Sequence, residues 1–220
     1  MTHTNRIAVV DYGMGNLRSV EQALRHVTQG AEGAEVVLAS TPDVIAAADR
    51  VVFPGQGAMR DCMAELDARN LRQAVKDAAA NKPFLGICIG LQMLFDHSEE
   101  GDAAGLGILP GQVKRFATDM VGADGQRLKV PHMGWNQVTQ KPHALWAGIA
   151  DQAFFYFVHS YHVVPADPTL VVGQTEYGMP FMTAVARDNI FAIQCHPEKS
   201  ARDGLQLLRN FVSWTPAASV

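Results

Sequence analysis

Cysteine is scarce in this chain. There are three, Cys62, Cys88 and Cys195, an odd and sparse count that argues against a disulfide framework and fits a reducing cytosol. Charge is sparse as well: charged residues make up 18% of the 220 positions, and the net charge is −4. No basic block stands out, so nucleic acid finds no electrostatic footprint. No apolar run approaches the roughly 18 residues of a membrane span. The opening Met-Thr-His-Thr-Asn-Arg leads into a strand with no apolar signal region. Repeats, low-complexity linkers and the P-loop pattern are missing, and only Thr215 to Val220 reads as a weakly ordered tail. With hydrophobic residues at 48%, the chain has the makings of one domain, 1–220, with a substantial core.

What is present begins with short apolar strands alternating with helices. Ile7 to Val10, Val36 to Leu38, Arg50 to Phe53 and Phe84 to Ile87 read as strands. Helical patterns run from Leu17 to Val27 with Asn16 as N-cap, from Thr41-Pro42-Asp43 with Thr41 capping, and over Asp61–Asp67 and Leu71–Ala80. Apolar rather than alternating strands imply a parallel sheet covered on both faces. Beyond residue 100 the character changes. Gly111 to Phe116, Lys129-Val130, Asn136 to Thr139, Phe154 to His162, Leu170 to Val172, Met182 to Ala186 and Ile190 to Gln194 read as short strands. Turns such as Ala123-Asp-Gly125 and Arg187-Asp-Asn189 make them a mixed, largely hairpin extension of the sheet. A closing helix over Arg202–Trp214 carries Leu205, Leu208, Phe211 and Val212 on one face.

The chemistry centres on Gly86-Ile-Cys88-Ile-Gly90, between the fourth strand and a helical run over Leu91–Phe95. Gly-x-Cys-x-Gly there is the spacing of a nucleophile elbow. A sharp strand-to-helix turn strains the nucleophile's backbone, so its neighbours must be small. The turn also sets the sulfur at a helix N-terminus, where the dipole favours thiolate. A thiolate acting on an amide needs a proton shuttle and a group to orient it. His196-Pro197-Glu198 offers both at the carboxyl end of a strand, with Pro197 stiffening the turn so that both side chains point one way. Cys88 would attack, His196 would carry the proton, and Glu198 would hold the imidazole. The N–H of Ile89 would serve the oxyanion, beside the glycine turn Pro54-Gly55-Gln56-Gly57.

Other candidates carry less. Gly13-x-Gly15 after the first strand lacks the third glycine of a dinucleotide fingerprint, since Arg18 takes its place; a tight turn needing positive φ explains it. His159 and His162 would face opposite sides of one strand, and no paired cysteines accompany them, so no metal site is expected. Cys195 reads as packing, and Cys62 as a helical residue without chemical partners nearby. Glu99-Glu100 reads, on the residues alone, as a solvated helix end.

Gly86-Ile-Cys88-Ile-Gly90-Leu-Gln92 together with His196-Pro-Glu198 resembles the class I, triad-type glutamine amidotransferases. Asp11-Tyr-Gly-Met-Gly-Asn-Leu17, Pro131-His-Met-Gly-Trp-Asn136, Phe157-Val-His-Ser-Tyr161 and His196-Pro-Glu-Lys-Ser200 narrow the likeness to glutaminase subunits of imidazole glycerol phosphate synthases, over essentially the whole chain. The resemblance implies a flavodoxin-like α/β fold, L-glutamine as substrate, no cofactor and a cytoplasmic setting. It also implies a heterodimer with a (βα)8-barrel cyclase, which uses the ammonia to make imidazole glycerol phosphate and an aminoimidazole carboxamide ribonucleotide. By motif position Gln92, Glu100, Ser160 and Tyr161 would contact glutamine, Gly55 and Gly57 would lie near the oxyanion, and Asn16, Trp135, Tyr156 and Lys199 would lie at the partner. Family members often have an apolar residue at the position of Gln56, which here gains the means to hydrogen-bond its surroundings and bias the turn. Three competing expectations are a class I glutaminase of another synthase, a stand-alone cysteine hydrolase, and a non-catalytic flavodoxin-like module.

Overall fold

The computed structural model describes residues 5–29 and 34–216. Residues 1–4 and the end of the expected tail, 217–220, lie outside the described residues. The first half alternates as expected: β1 (Asn5–Val10), α1 (Leu17–Thr28), β2 (Ala34–Ala39), α2 (Pro42–Ala46), β3 (Arg50–Gly55), α3 (Met59–Ala68), α4 (Arg72–Asn81), β4 (Phe84–Cys88) and α5 (Ile89–Gln92). The second half is strand-rich: β5 (His97–Ser98), β6 (Ala103–Ala104), β7 (Gly111–Arg115), β8 (His132–Gln140), β9 (Ala153–His159), β10 (Tyr161–Pro165), β11 (Val171–Glu176), β12 (Pro180–Arg187) and β13 (Ile190–Ile193), then α6 (Ala201–Ser213).

Nine strands form one sheet in the order β2-β1-β3-β4-β13-β12-β11-β8-β9. The first five run parallel and the rest pair antiparallel. This is the expected mostly parallel centre with an antiparallel extension. The strand order reverses between β1 and β3, so their following loops open a crevice at the carboxyl edge. Ile7 to Val10 are all fully buried, which requires cover on both faces of β1. In α1, Val20, Ala23, Leu24 and Val27 supply the buried stripe, at the spacing of one helix face. Four further strands make a small sheet, β10-β7-β5-β6.

Several expected elements differ. Asn16 and Thr41 precede their helices, yet neither side chain caps one; Asn16 Oδ1 instead accepts from the Ser19 hydroxyl at 2.9 Å. Lys129-Val130 is not a strand: Leu128 N donates to Met120 O in a local hairpin, and the Lys129 carbonyl accepts from Tyr177 Oη at 2.8 Å. The run Phe154–His162 breaks at Ser160, which sends β9 and β10 into different sheets. Both histidines of that run turn inward, against Phe116, rather than to opposite sides. Glu99-Glu100 belongs to the turn after β5, not to a helix end. The buried face of α6 is Gly204, Leu207, Leu208 and Phe211, so Leu205 and Val212 sit at its flank.

The helical run after Cys88 is the most consequential difference. It begins at Ile89 and stops at Gln92. The carbonyls of Met93, Leu94 and Phe95 accept from the backbone N–H groups of Leu106 to Leu109 instead of continuing the helix. One turn of helix sums too few peptide dipoles to hold a thiolate, so that expected contribution is small. What the turn does is pack closely: a Cβ at Gly90 would lie 1.8 Å from the Phe53 carbonyl oxygen. Gly90→Ala therefore overpacks the β3–β4–α5 junction, at a cost of about 1–3 kcal/mol or more. Calorimetry is expected to show a Tm lower by about 3–10 °C; an unchanged Tm would contradict the close packing.

Candidate active site

Cys88 ends β4 with φ 55° and ψ −110°, a left-handed conformation that costs a non-glycine residue about 1–3 kcal/mol. Its surroundings enforce it. A Cβ at Gly86 would lie 2.9 Å from Ala192 Cβ, and Gly90 is pressed on β3. Strand β13 lies parallel to β4, with Ile193 opposite Ile87. His196 therefore emerges beside the sulfur.

His196 is held from three directions. Its N–H donates to the Tyr156 carbonyl at 2.9 Å. Its carbonyl accepts from Ser200 Oγ at 2.6 Å, while that same oxygen accepts from Tyr156 N at 3.0 Å. Its ring Nδ1 meets Glu198 Oε1 at 2.9 Å, both side chains being almost fully buried. The Pro197–Lys199 turn is a single 3-10 turn, and a Cβ at Gly204 would touch the Pro197 carbonyl, so α6 backs it directly. Among the described residues Nε2 of His196 has no hydrogen-bond partner, and it lies within electrostatic reach of the Cys88 sulfur. Burial disfavours the charged ring, yet Cys88 and then Glu198 outweigh it and push His196 up to about 10.

These groups open onto a cavity of about 240 Å³ lined by Gln56, Gly57, Cys88, Ile89, Gln92, Glu100, Pro131, Val158, His159, Ser160, Tyr161, His196 and Lys199. All four residues expected at the substrate line it. Gly57 and Ile89 do too. Gly55 does not; it is wedged where a Cβ would fall 2.5 Å from Tyr12 Oη and 2.9 Å from Ile89 Cβ. Glu198 stands behind His196. Glu100 is half-buried and accepts from Met59 N at 2.8 Å, at the start of α3; burial pushes its carboxyl up. Asn16, Trp135 and Tyr156 lie outside the cavity. Trp135 is 51% exposed and meets Tyr156 edge-on at 6.1 Å, with Lys199 Nζ 5.9 Å from the Tyr156 ring. Met133 and Phe154 are also exposed on this hairpin.

The loop after β3 is tied by its carbonyls. Tyr12 Oη donates to Pro54 O at 3.0 Å, and Cys62 Sγ to Gln56 O at 3.4 Å. Cys62 thus has a partner that its sequence position does not suggest, while the Gln56 side chain is exposed and its backbone makes the tie. Gly13 and Gly15 take positive φ, as the tight turn requires, and Gly15 stands against Gly55. Two residues escaped sequence reasoning. Ser200 latches the histidine turn, and Gln194 is fully buried beside Cys88. A lone glutamine ending an apolar strand is the one signal for the latter. Cys195 is fully buried, as read.

A family model described as glutamine amidotransferase class-I matches residues 8–214, and the chain belongs to that family. Two solved glutamine amidotransferases share its fold. One has a TM-score of 0.63 at 17% identity, covering 93% of this chain and 96% of the other. The second, from Thermotoga maritima, has a TM-score of 0.59 at 17% identity, covering 91% and 79%. Sequence relatives are nearer. The imidazole glycerol phosphate synthase subunit HisH of Dechloromonas aromatica is 67% identical over 96% of this chain and 97% of its own length. That of Aromatoleum aromaticum is 65% identical over 96% and 99%.

His196 supplies a test with a defined sign. Its raised pKa means its charged form adds stability that is complete below about pH 6.5 and is lost as pH rises through about 10. Glu198→Gln removes one source of that rise, so the ring's NMR titration midpoint is expected to fall toward 6.5. Denaturant unfolding should show the variant weaker between pH 6 and 8, with the gap closing toward pH 10. An unmoved midpoint would disprove the pairing.

Proposed function

We infer that this chain is the glutaminase subunit of an imidazole glycerol phosphate synthase, acting in histidine biosynthesis. The carrying observation is the convergence, on one cavity, of a cysteine in strained backbone and a histidine anchored by a buried carboxylate. The choice among glutaminases rests on the near full-length likeness to HisH subunits, which disfavours another synthase or a stand-alone hydrolase.

The chemistry follows from the residues. Cys88 sulfur attacks the side-chain amide carbon of L-glutamine, and a C–S bond forms. The resulting oxyanion takes N–H groups from Ile89 and from the Gly55–Gly57 loop. His196, charged by the sulfur's proton, passes that proton to the amide nitrogen as the C–N bond breaks and ammonia leaves. Water then attacks the thioester, with His196 receiving its proton. The C–S bond breaks, glutamate departs and Cys88 is regenerated. Glu198 keeps the ring oriented throughout. Gln92, Glu100, Ser160 and Tyr161 hold the substrate.

Free ammonia is lost to protonation and diffusion, so the product needs a direct recipient. That recipient is a (βα)8-barrel cyclase forming a heterodimer with this single 1–220 domain in the cytoplasm. Asn16, Trp135, Tyr156 and Lys199 face it; the half-exposed Trp135 and its neighbours Met133 and Phe154 support that placement. The glycine-bearing loop from Pro54 to Gly57 gates the oxyanion donors until partner and ribonucleotide bind.

Glutamine hydrolysis by the isolated chain, then with a cyclase subunit and its ribonucleotide, tests this reading. Strong activity is expected only in the full mixture, and Cys88→Ala should reduce it by at least about 10³-fold. Equal activity of the lone chain would sink the gate, and full activity of the alanine variant would sink the nucleophile.

A further inference from the structure

Gln194 follows β13 directly and has no exposed surface. A buried carboxamide has to find partners for both ends. Its Oε1 accepts from Gln92 Nε2 at 3.0 Å, and its own Nε2 points at Cys88 Sγ, 3.7 Å away. The second N–H of Gln92 goes to the Tyr161 carbonyl at 3.2 Å. These directions permit one arrangement. Tyr161 offers only an acceptor, so Gln92 must present its NH2 group inward. That NH2 needs an acceptor from Gln194, which leaves Gln194 only a donor for the sulfur. Reversing Gln194 would set two NH2 groups against each other. The arrangement leaves Gln92 Oε1 buried and unpartnered among the described residues, in a side chain that lines the cavity.

We propose that Gln194 is a further catalytic residue: its N–H donates to the Cys88 sulfur, and its Oε1 locks Gln92 so that the Gln92 oxygen is presented to an N–H of the substrate. This rests on the glutaminase reading for the substrate and on geometry alone for the sulfur. His196 and Gln194 then serve the sulfur differently. His196 must give up its proton to the leaving nitrogen. Gln194 is a neutral donor that transfers nothing, so it stabilises charge on sulfur both before attack and when the thioester breaks and sulfur leaves. A hydrogen bond to a charged group is worth roughly 10- to 100-fold in rate. The donor end of a fully buried amide needs an acceptor, because an unpaired polar group there is costly, and the Cys88 sulfur is the acceptor that its Nε2 meets.

The test reads the sulfur without glutamine. The rate at which iodoacetamide alkylates Cys88 in the full-length chain is followed against pH, by mass spectrometry of the Cys88 peptide. The titratable groups around the sulfur are His196 with Glu198 behind it, Tyr12 and Cys195 in the core near it, and Glu100, His159, Tyr161 and Lys199 at the cavity. All are retained in Gln194→Met, which keeps length and removes the donor. Its alkylation midpoint is expected to move upward by about 1 in pH, and kcat in the complex with the cyclase to fall about 10- to 100-fold. KM should rise as well, because Gln92 loses its anchor. Gln194→Glu retains shape, brings an acceptor to the sulfur and should move the midpoint further up. A folded Gln194→Met with an unchanged midpoint and kcat, or a Gln194→Glu with an unchanged midpoint should the methionine variant not fold, overturns the proposal. If unsubstituted chain and cyclase together show no glutamine turnover, the glutaminase reading fails while the alkylation profile still decides the sulfur contact.

Discussion

Everything in the site depends on how closely α5 approaches β3. A Cβ on Gly90 would run into the Phe53 carbonyl, and one on Gly55 into Tyr12 Oη and Ile89 Cβ. Only backbones without side chains come that near. The approach leaves the chain no relaxed route from β4 into α5, so Cys88 takes the left-handed conformation and its sulfur is turned out of the strand. In the sheet, Gly55 pairs with Cys88, so the same contact sets the loop after β3 beside the Cys88 sulfur. The energy for holding this strain comes from the surrounding core, where Phe53, Phe84 and Ile87 are all at most 1% exposed. Each such side chain contributes about 1.5–3 kcal/mol on burial.

Sheet register does the rest of the assembly. Pairing of Ile190 to Ile193 with Phe84 to Ile87 places the next residue, Gln194, level with Cys88, and His196 just beyond the edge. A slip of one residue would turn Gln194 away and put Cys195 in its place. This register sets Ala192 opposite Gly86, where the absent glycine side chain leaves the room that Ala192 Cβ needs. Thus two groups more than a hundred positions from Cys88 reach the sulfur through strand pairing, without a long flexible loop.

Much of this was legible in the sequence because the signals are local. The spacing Gly86-x-Cys88-x-Gly90 states a steric requirement, and His196-Pro-Glu198 states a hydrogen bond that closes within three residues. The parallel strands were legible from their uninterrupted apolar character. The unread parts are settled by distant partners. Nothing near Met93 to Phe95 says that their carbonyls will be taken by residues 106–109, so local pattern alone carries the helix past Gln92. Nothing near Phe154 to His162 marks Ser160 as the point where the chain changes sheets. Cys62 and Gln194 gain their partners only when α3 closes on the loop after β3 and when β13 pairs with β4. Spacing cannot report such contacts.

Burial alone does not decide how a histidine behaves here. His132 and His159 sit in an aromatic cluster with Phe157, Tyr177 and Phe181, with no carboxylate bonded to either among the described residues. Burial holds them down, to about 4 and about 3. Both are therefore neutral at physiological pH, and their hydrogen bonds acquire a direction. His159 Nδ1 must donate to the Tyr161 carbonyl at 2.8 Å, so its Nε2 accepts from His132 Nδ1 at 3.0 Å. The remaining His132 nitrogen accepts from Asn136 Nδ2 at 3.3 Å. This chain fixes the carbonyl to which Gln92 is bound. His196 is buried too, but the Cys88 sulfur and then Glu198 push it up to about 10. The sulfur and a carboxylate two residues away thus set His196 apart from the buried neutral rings, of which His159 forms part of the cavity wall.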